Sequence, residues 1–131
     1  GAEKEELGIL VFDVISAPAA FLAENADLAA KFMKVTEDAN AMWNEGSKQE
    51  EMIAVIAKDA GMDLETAKKD ISTFVFPSVD EQLSEKWLGG GAQTFMKGVS
   101  QVFVDAGSIP AARDTYDAAV NAAPLEAVKG M

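Results

Sequence analysis

Apolar positions along the chain follow two rhythms. Over most of its length they return every three or four residues, the spacing of an amphipathic helix. Leu28, Phe32, Val35, Ala39 and Met42 form one such stripe, Trp43 extends it, and Gly46 stops it. Met52, Ile53, Ile56 and Ala60 form a second, opened by a Ser47/Glu50 capping box and closed by Gly61. Asp63 caps a shorter helix carrying Leu64, Ala67 and Ile71. A second capping box, Ser78 with Glu81, opens a helix with Val79, Leu83 and Trp87, which the glycines at 89–91 break. Phe95, Val99, Val102, Phe103 and Ala106 predict a strong helix ending at Gly107, and Tyr116, Ala119 and Val120 a last one. Before all of these, "PAAFLAEN" predicts a short helix ending near Asn25.

The second rhythm is a continuous apolar run, "ILVFDVIS", at residues 9–16. It is short, rich in β-branched and aromatic residues, and stopped by Ala17-Pro18. It predicts a strand buried on both faces, with its main part at about residues 9–15. "TFVFP", 73–77, is extended in character but short. One convincing strand among six or seven helices is an incomplete sheet, because a buried strand needs partners for its amides and carbonyls. The missing strands are expected from an N-terminal part outside this chain or from another copy of it. Strand exchange around residues 9–16, giving a dimer, is a natural solution.

Composition narrows the chemistry. The 131 residues, 49% of them apolar, suit one domain with its own core and no internal boundary. The net charge of −11 repels phosphate backbones, so nucleic acid is not an expected partner. With no cysteine and no histidine, disulfides, thiolate metal sites and the commonest general base are all absent. No metal or cofactor site is expected. Glu37/Asp38 and Glu50/Glu51 read as solvated faces, the glycines at 89–91 as a turn, and Trp43 and Trp87 as core or core-edge residues. No nucleophile has a base beside it, so the chain does not read as an enzyme.

Asp13 is the one polar side chain inside the apolar run. A carboxylate buried there must find a partner or take up a proton. It either bonds local amides or the solvent at a strand end, or it faces a cleft and meets a cation.

The segment "GILVFDVISAPAAFLAENADLAAKFMKVTEDAN" resembles the second half of the taurine-binding proteins of ABC transporters, within the nitrate/sulfonate/taurine family of periplasmic solute-binding proteins. Phe12-Asp13-Val14 matches the family's strand motif, and Phe21 to Asp27 stands for its helix motif, with Asn25-Ala26 where the family has His-Pro. "IAVIAKDAGMDLETAKKDISTFVFPSVDEQLSEKWLGG" and "VFVDAGSIPAARDTYDAAV" resemble the family's later segments, in the same order. The family's chains are more than twice this long.

The resemblance implies an α/β fold: the C-terminal part of a two-lobed type II periplasmic-binding-protein fold, mostly helical by itself with one main strand. It implies the substrate-binding component of an importer, exported to the periplasm, that delivers taurine or a related amino sulfonate to a membrane permease. It also implies that Asp13 accepts the ammonium of the zwitterion, with the sulfonate met by donors outside this chain. The competing reading is a stand-alone helical interaction module without a small-molecule ligand.

Overall fold

The computed structural model describes residues 11–131. Seven α-helices occur among them: α1 (Ala19–Glu24), α2 (Ala26–Glu45), α3 (Gln49–Ala60), α4 (Leu64–Ile71), α5 (Val79–Gln82), α6 (Gly91–Asp105) and α7 (Ala123–Val128). A 3-10 turn, Asp117–Ala119, lies between α6 and α7.

The expected α/β fold is overturned: no strand is present among the described residues. Of the predicted strand, residues 9 and 10 lie outside the described range. Residues 11–18 have no regular secondary structure. The physical reason is the one that made the strand suspect. A ladder needs a neighbour, and the other extended segment, 74–78, forms no ladder either. Val11, Val14 and Ile15 are consequently exposed.

Several helix boundaries follow from local chemistry. Gly46 and Gly61 adopt positive φ, 91° and 66°, which ends α2 and α3 at the residues before them. Asp63 caps α4 by accepting from the Thr66 amide at 2.9 Å and from its hydroxyl at 2.7 Å. The Ser47/Glu50 box does not form. Lys48 stands at the cap position with no side-chain cap bond, and Gln49 donates instead to the carbonyl of Trp43 at 2.9 Å.

The helix expected through Trp87 stops at Gln82. Residues 83–90 fold into overlapping turns, and the amides of Leu88, Gly89 and Gly91 bond to the carbonyls of Gln82, Ser84 and Glu85. The glycines permit this crowding: a Cβ at Gly91 would lie 1.8 Å from the carbonyl oxygen of Lys86. The helix expected around Tyr116 is only the 3-10 turn. The final helix is instead α7, with Pro124 in its first turn.

The chain divides into two compact units. In the first, which holds Val35–Ser78 and the described residues up to Ser16, α3 contacts α4. Each of these helices buries an alanine, Ala57 and Ala67. The aromatic side chains of this unit cluster: Phe76 meets Trp43 edge to face at 6.1 Å and stacks on Phe74 at 6.3 Å. Asn44 fixes the segment by donating to the Phe76 carbonyl at 2.8 Å. The second unit holds Ala17–Lys34 and Val79–Met131. There α5 contacts α7, Lys129 pairs with Asp80, and Leu125 and Val128 are buried.

Burial is concentrated on small residues. No large side chain among the described residues is fully buried. The α2 stripe shows this most clearly, because the helix turns it outward. Leu28, Phe32 and Val35 are 56%, 57% and 70% exposed, and Met42 is exposed too. The opposite side is the covered one, with Ala30 and Glu37 buried and Met33 and Asn40 half-buried.

Candidate functional site

Three places gather side chains able to bind something, and each is built by a different local device. The first is Asp13. Its carboxylate is exposed, on irregular backbone between Phe12, which is half-buried, and Val14, which is exposed. Among the described residues it has no hydrogen-bond or ion-pair partner. Apolar neighbours without a competing donor leave the carboxylate available to a cation from outside.

The second is an open groove of about 310 Å³ in the first unit, lined by Met42 of α2, Lys48, and Glu51, Met52, Val55 and Ile56 of α3. The two methionines give it an adaptable apolar floor. Lys48 and Glu51, 3.7 Å apart, stand at its polar end. The sequence marked Met52 and Ile56 as the buried face of their helix. It gave no sign that the face would line a groove, because that depends on how α2 meets α3.

The third lies in the second unit, between α6 and the chain that follows it. Tyr116 and Ser100 share a hydroxyl–hydroxyl bond of 2.5 Å, and the Arg113 amide donates to the Tyr116 oxygen at 3.4 Å. Lys97, one turn before Ser100, donates to the Asp114 carbonyl at 3.0 Å. These contacts hold the Tyr116 phenol below its ordinary pKa. The Ser100 hydroxyl acts most, then the Arg113 amide, with the charges of Arg113 and Lys97 adding to them. Sequence reasoning placed Tyr116 on the apolar side of a helix and missed this cluster. The available signal was the four hydrogen-bonding residues at 97, 100, 113 and 116.

No described group of histidine, cysteine, aspartate and glutamate side chains is arranged to hold a metal ion. No described helix is long and apolar enough to cross a membrane. No family model, curated protein or solved structure matches the chain.

Proposed function

We propose that the chain is part of the solute-binding component of an ABC importer, one that captures taurine or a related amino sulfonate in the periplasm for a membrane permease. Asp13 is the residue assigned to the ligand. The observation that carries the reading is its exposed carboxylate, set among apolar residues in the Phe12-Asp13-Val14 motif and unpartnered among the described residues. Such a group receives an ammonium without first breaking a bond of its own, and it discriminates an amino sulfonate from a plain sulfonate by charge. The sulfonate is met by donors beyond this chain, in the longer polypeptide that the resemblance implies.

The test is calorimetric titration of that longer protein with taurine and with an alkanesulfonate of similar length. In the ligand-bound longer protein the pair is closed off from water, and removing one partner of such a pair costs roughly 2–5 kcal/mol. Asp13→Ala therefore weakens taurine binding by about 30-fold or more, at ~1.4 kcal/mol per tenfold. The alkanesulfonate, with no cation left unpaired, is affected much less. Equal losses for the two ligands, or no taurine binding by the unsubstituted protein, would defeat the assignment. The isolated 131-residue chain, lacking the sulfonate donors, is expected to bind taurine weakly at most.

A second reading, a helical interaction module, is favoured by a different observation. The exposed α2 stripe is a large apolar surface of the kind that partner chains cover. Saturable taurine binding by the longer protein decides for the first reading.

A further inference from the structure

The outward stripe of α2 has a spacing of its own. Residues 28, 32, 35, 39 and 42 follow one another in steps of four, three, four and three. That is the a/d pattern of a coiled-coil seam, with Phe32 and Ala39 at a and Leu28, Val35 and Met42 at d. All five are exposed. The helix meets its own chain through the other side, where Ala30 and Glu37 are buried. A helix that covers its polar side and shows its heptad seam is built to be covered by something else.

We propose that this seam pairs with the α2 seam of a second copy of the chain, the two helices running antiparallel. The inference is independent of the taurine reading.

Charge selects the second copy and the direction. An antiparallel pair stacks a positions on d positions of the partner, so Phe32 meets Val35 of the second copy and Leu28 meets its Ala39. In that register the flanking g positions face each other, and Lys31 comes opposite Asp38 of the second copy. Two-fold symmetry makes this pair twice. Both side chains are exposed and border the seam. On the other flank, Ala29 faces Thr36, with no charge to satisfy. Sliding the helices so that Phe32 meets Met42 brings Lys31 opposite Glu45 of the second copy but puts Asp38 opposite its own copy, a like-charge contact. A parallel pair puts Lys31 beside Thr36 and Asp38 beside Trp43, with no opposite charges matched. Of the three arrangements, the first alone matches opposite charges without also opposing like ones. Lys31 already bonds Asp27 at 2.6 Å within its own helix, so it is held at the flank in an extended chain of charges.

The test is sedimentation of the 131-residue chain over a wide concentration range, with charge reversals and cross-links. The chain is expected to dimerise reversibly. Lys31→Glu alone, or Asp38→Lys alone, replaces two attractive pairs by two repulsive ones. Each weakens the dimer by about threefold to tenfold, in line with exposed pairs. The double variant Lys31→Glu/Asp38→Lys restores association to within about twofold, a recovery that only cross-copy pairing gives. Both positions are exposed, and circular dichroism checks that each variant keeps its helix content. Direction is read separately, since the chain has no cysteine to interfere. Phe32→Cys and Val35→Cys chains carrying tags of different length are mixed and oxidised. Mixed disulfides between the two are expected. Disulfides only between like residues overturn the antiparallel arrangement, and single reversals without recovery in the double variant overturn the pairing. A monomer at every concentration overturns the proposal, whether the seam is then bare or covered by another segment of a longer polypeptide.

Discussion

Asp13 and Asp63 are both exposed carboxylates, and their surroundings separate them. Asp63 spends its oxygens on the first turn of α4, and its carboxyl is held below the ordinary value of 3.8, first by the Thr66 hydroxyl and then by the Thr66 amide. A carboxyl whose folded pKa is depressed contributes stability above its unfolded pKa and loses it as pH falls through the folded one. The cap is therefore fully effective at neutral pH and fades below about pH 4. Asp63→Ala is expected to lower the melting temperature by a few degrees at neutral pH. Its melting curve should converge on that of the unsubstituted chain in acid; a constant gap at all pH values would mean the cap does not act through its charge.

Tyr116 gives a cleaner reading, because it is the sole tyrosine of the chain. Its phenol should titrate below 10.0 in a near-ultraviolet pH titration, and Ser100→Ala should move the midpoint back up. An unmoved midpoint would show that the Ser100 bond does not govern it. At this scale the sequence exposed what is local. Asp63 was legible three residues before its partner Thr66, whereas Ser100 and Tyr116 were not, since the loop after α6 brings them together.

Among the elements, the long periodic segments were legible and the short ones were not. α2, α3, α4 and α6 lie where the apolar spacing put them, and Gly46 and Gly61 end two of them through positive φ. Periodicity says which side of a helix is apolar but not whether that side is covered. For α2 that inference fails: Leu28, Phe32 and Val35 face out while Glu37 is buried. The predicted strand failed for a related reason. Ile9 to Ile15 has strand composition, but a strand is a property of a pair, and no described segment pairs with its residues 11–15. α7 was missed because its signal is thin, two apolar residues after a proline. Leu125 is nevertheless 2% exposed, the best-covered large side chain of its unit.

Two glycines of the 89–98 stretch make opposite predictions. A Cβ at Gly91 would sit 1.8 Å from the Lys86 carbonyl oxygen, so the turns ahead of α6 must open to admit it. Gly91→Ala is expected to destabilise by about 2–3 kcal/mol, in the upper range for a backbone clash. Gly98, inside α6, has nothing within 4 Å of the same atom. Gly98→Ala should stabilise by about 0.5–1 kcal/mol through the lost freedom of the unfolded chain. Urea denaturation of both variants measures the two signs, and equal effects would mean the turn before α6 is looser than its hydrogen bonds imply.

For the molecule as a whole, two properties oppose each other. The net charge of −11 pushes copies of the chain apart, while exposed Leu28, Phe32, Val35, Phe74, Val75 and Phe103 draw apolar surfaces together. Acidity was legible from composition alone and apolar exposure was not, because it depends on which faces the fold leaves open. Salt separates the two forces. Repulsion between two chains of −11 is long-ranged, and the Debye length falls from ~30 Å at 0.01 M to ~8 Å at 0.15 M. Burial of the α2 seam is short-ranged and scarcely screened. The Lys31–Asp38 pairs of the proposed dimer are exposed contacts of small strength, and salt weakens them only modestly. Association is therefore expected to tighten as salt rises, and the melting temperature to rise with it as self-repulsion within each chain is screened. Sedimentation and thermal melts across a chloride series at neutral pH measure both. The Lys31→Glu chain, more acidic by two charges, should gain the most from added salt, because it starts with the most repulsion. A dimer that loosens with salt would mean that charge pairs, not the apolar seam, hold the copies together.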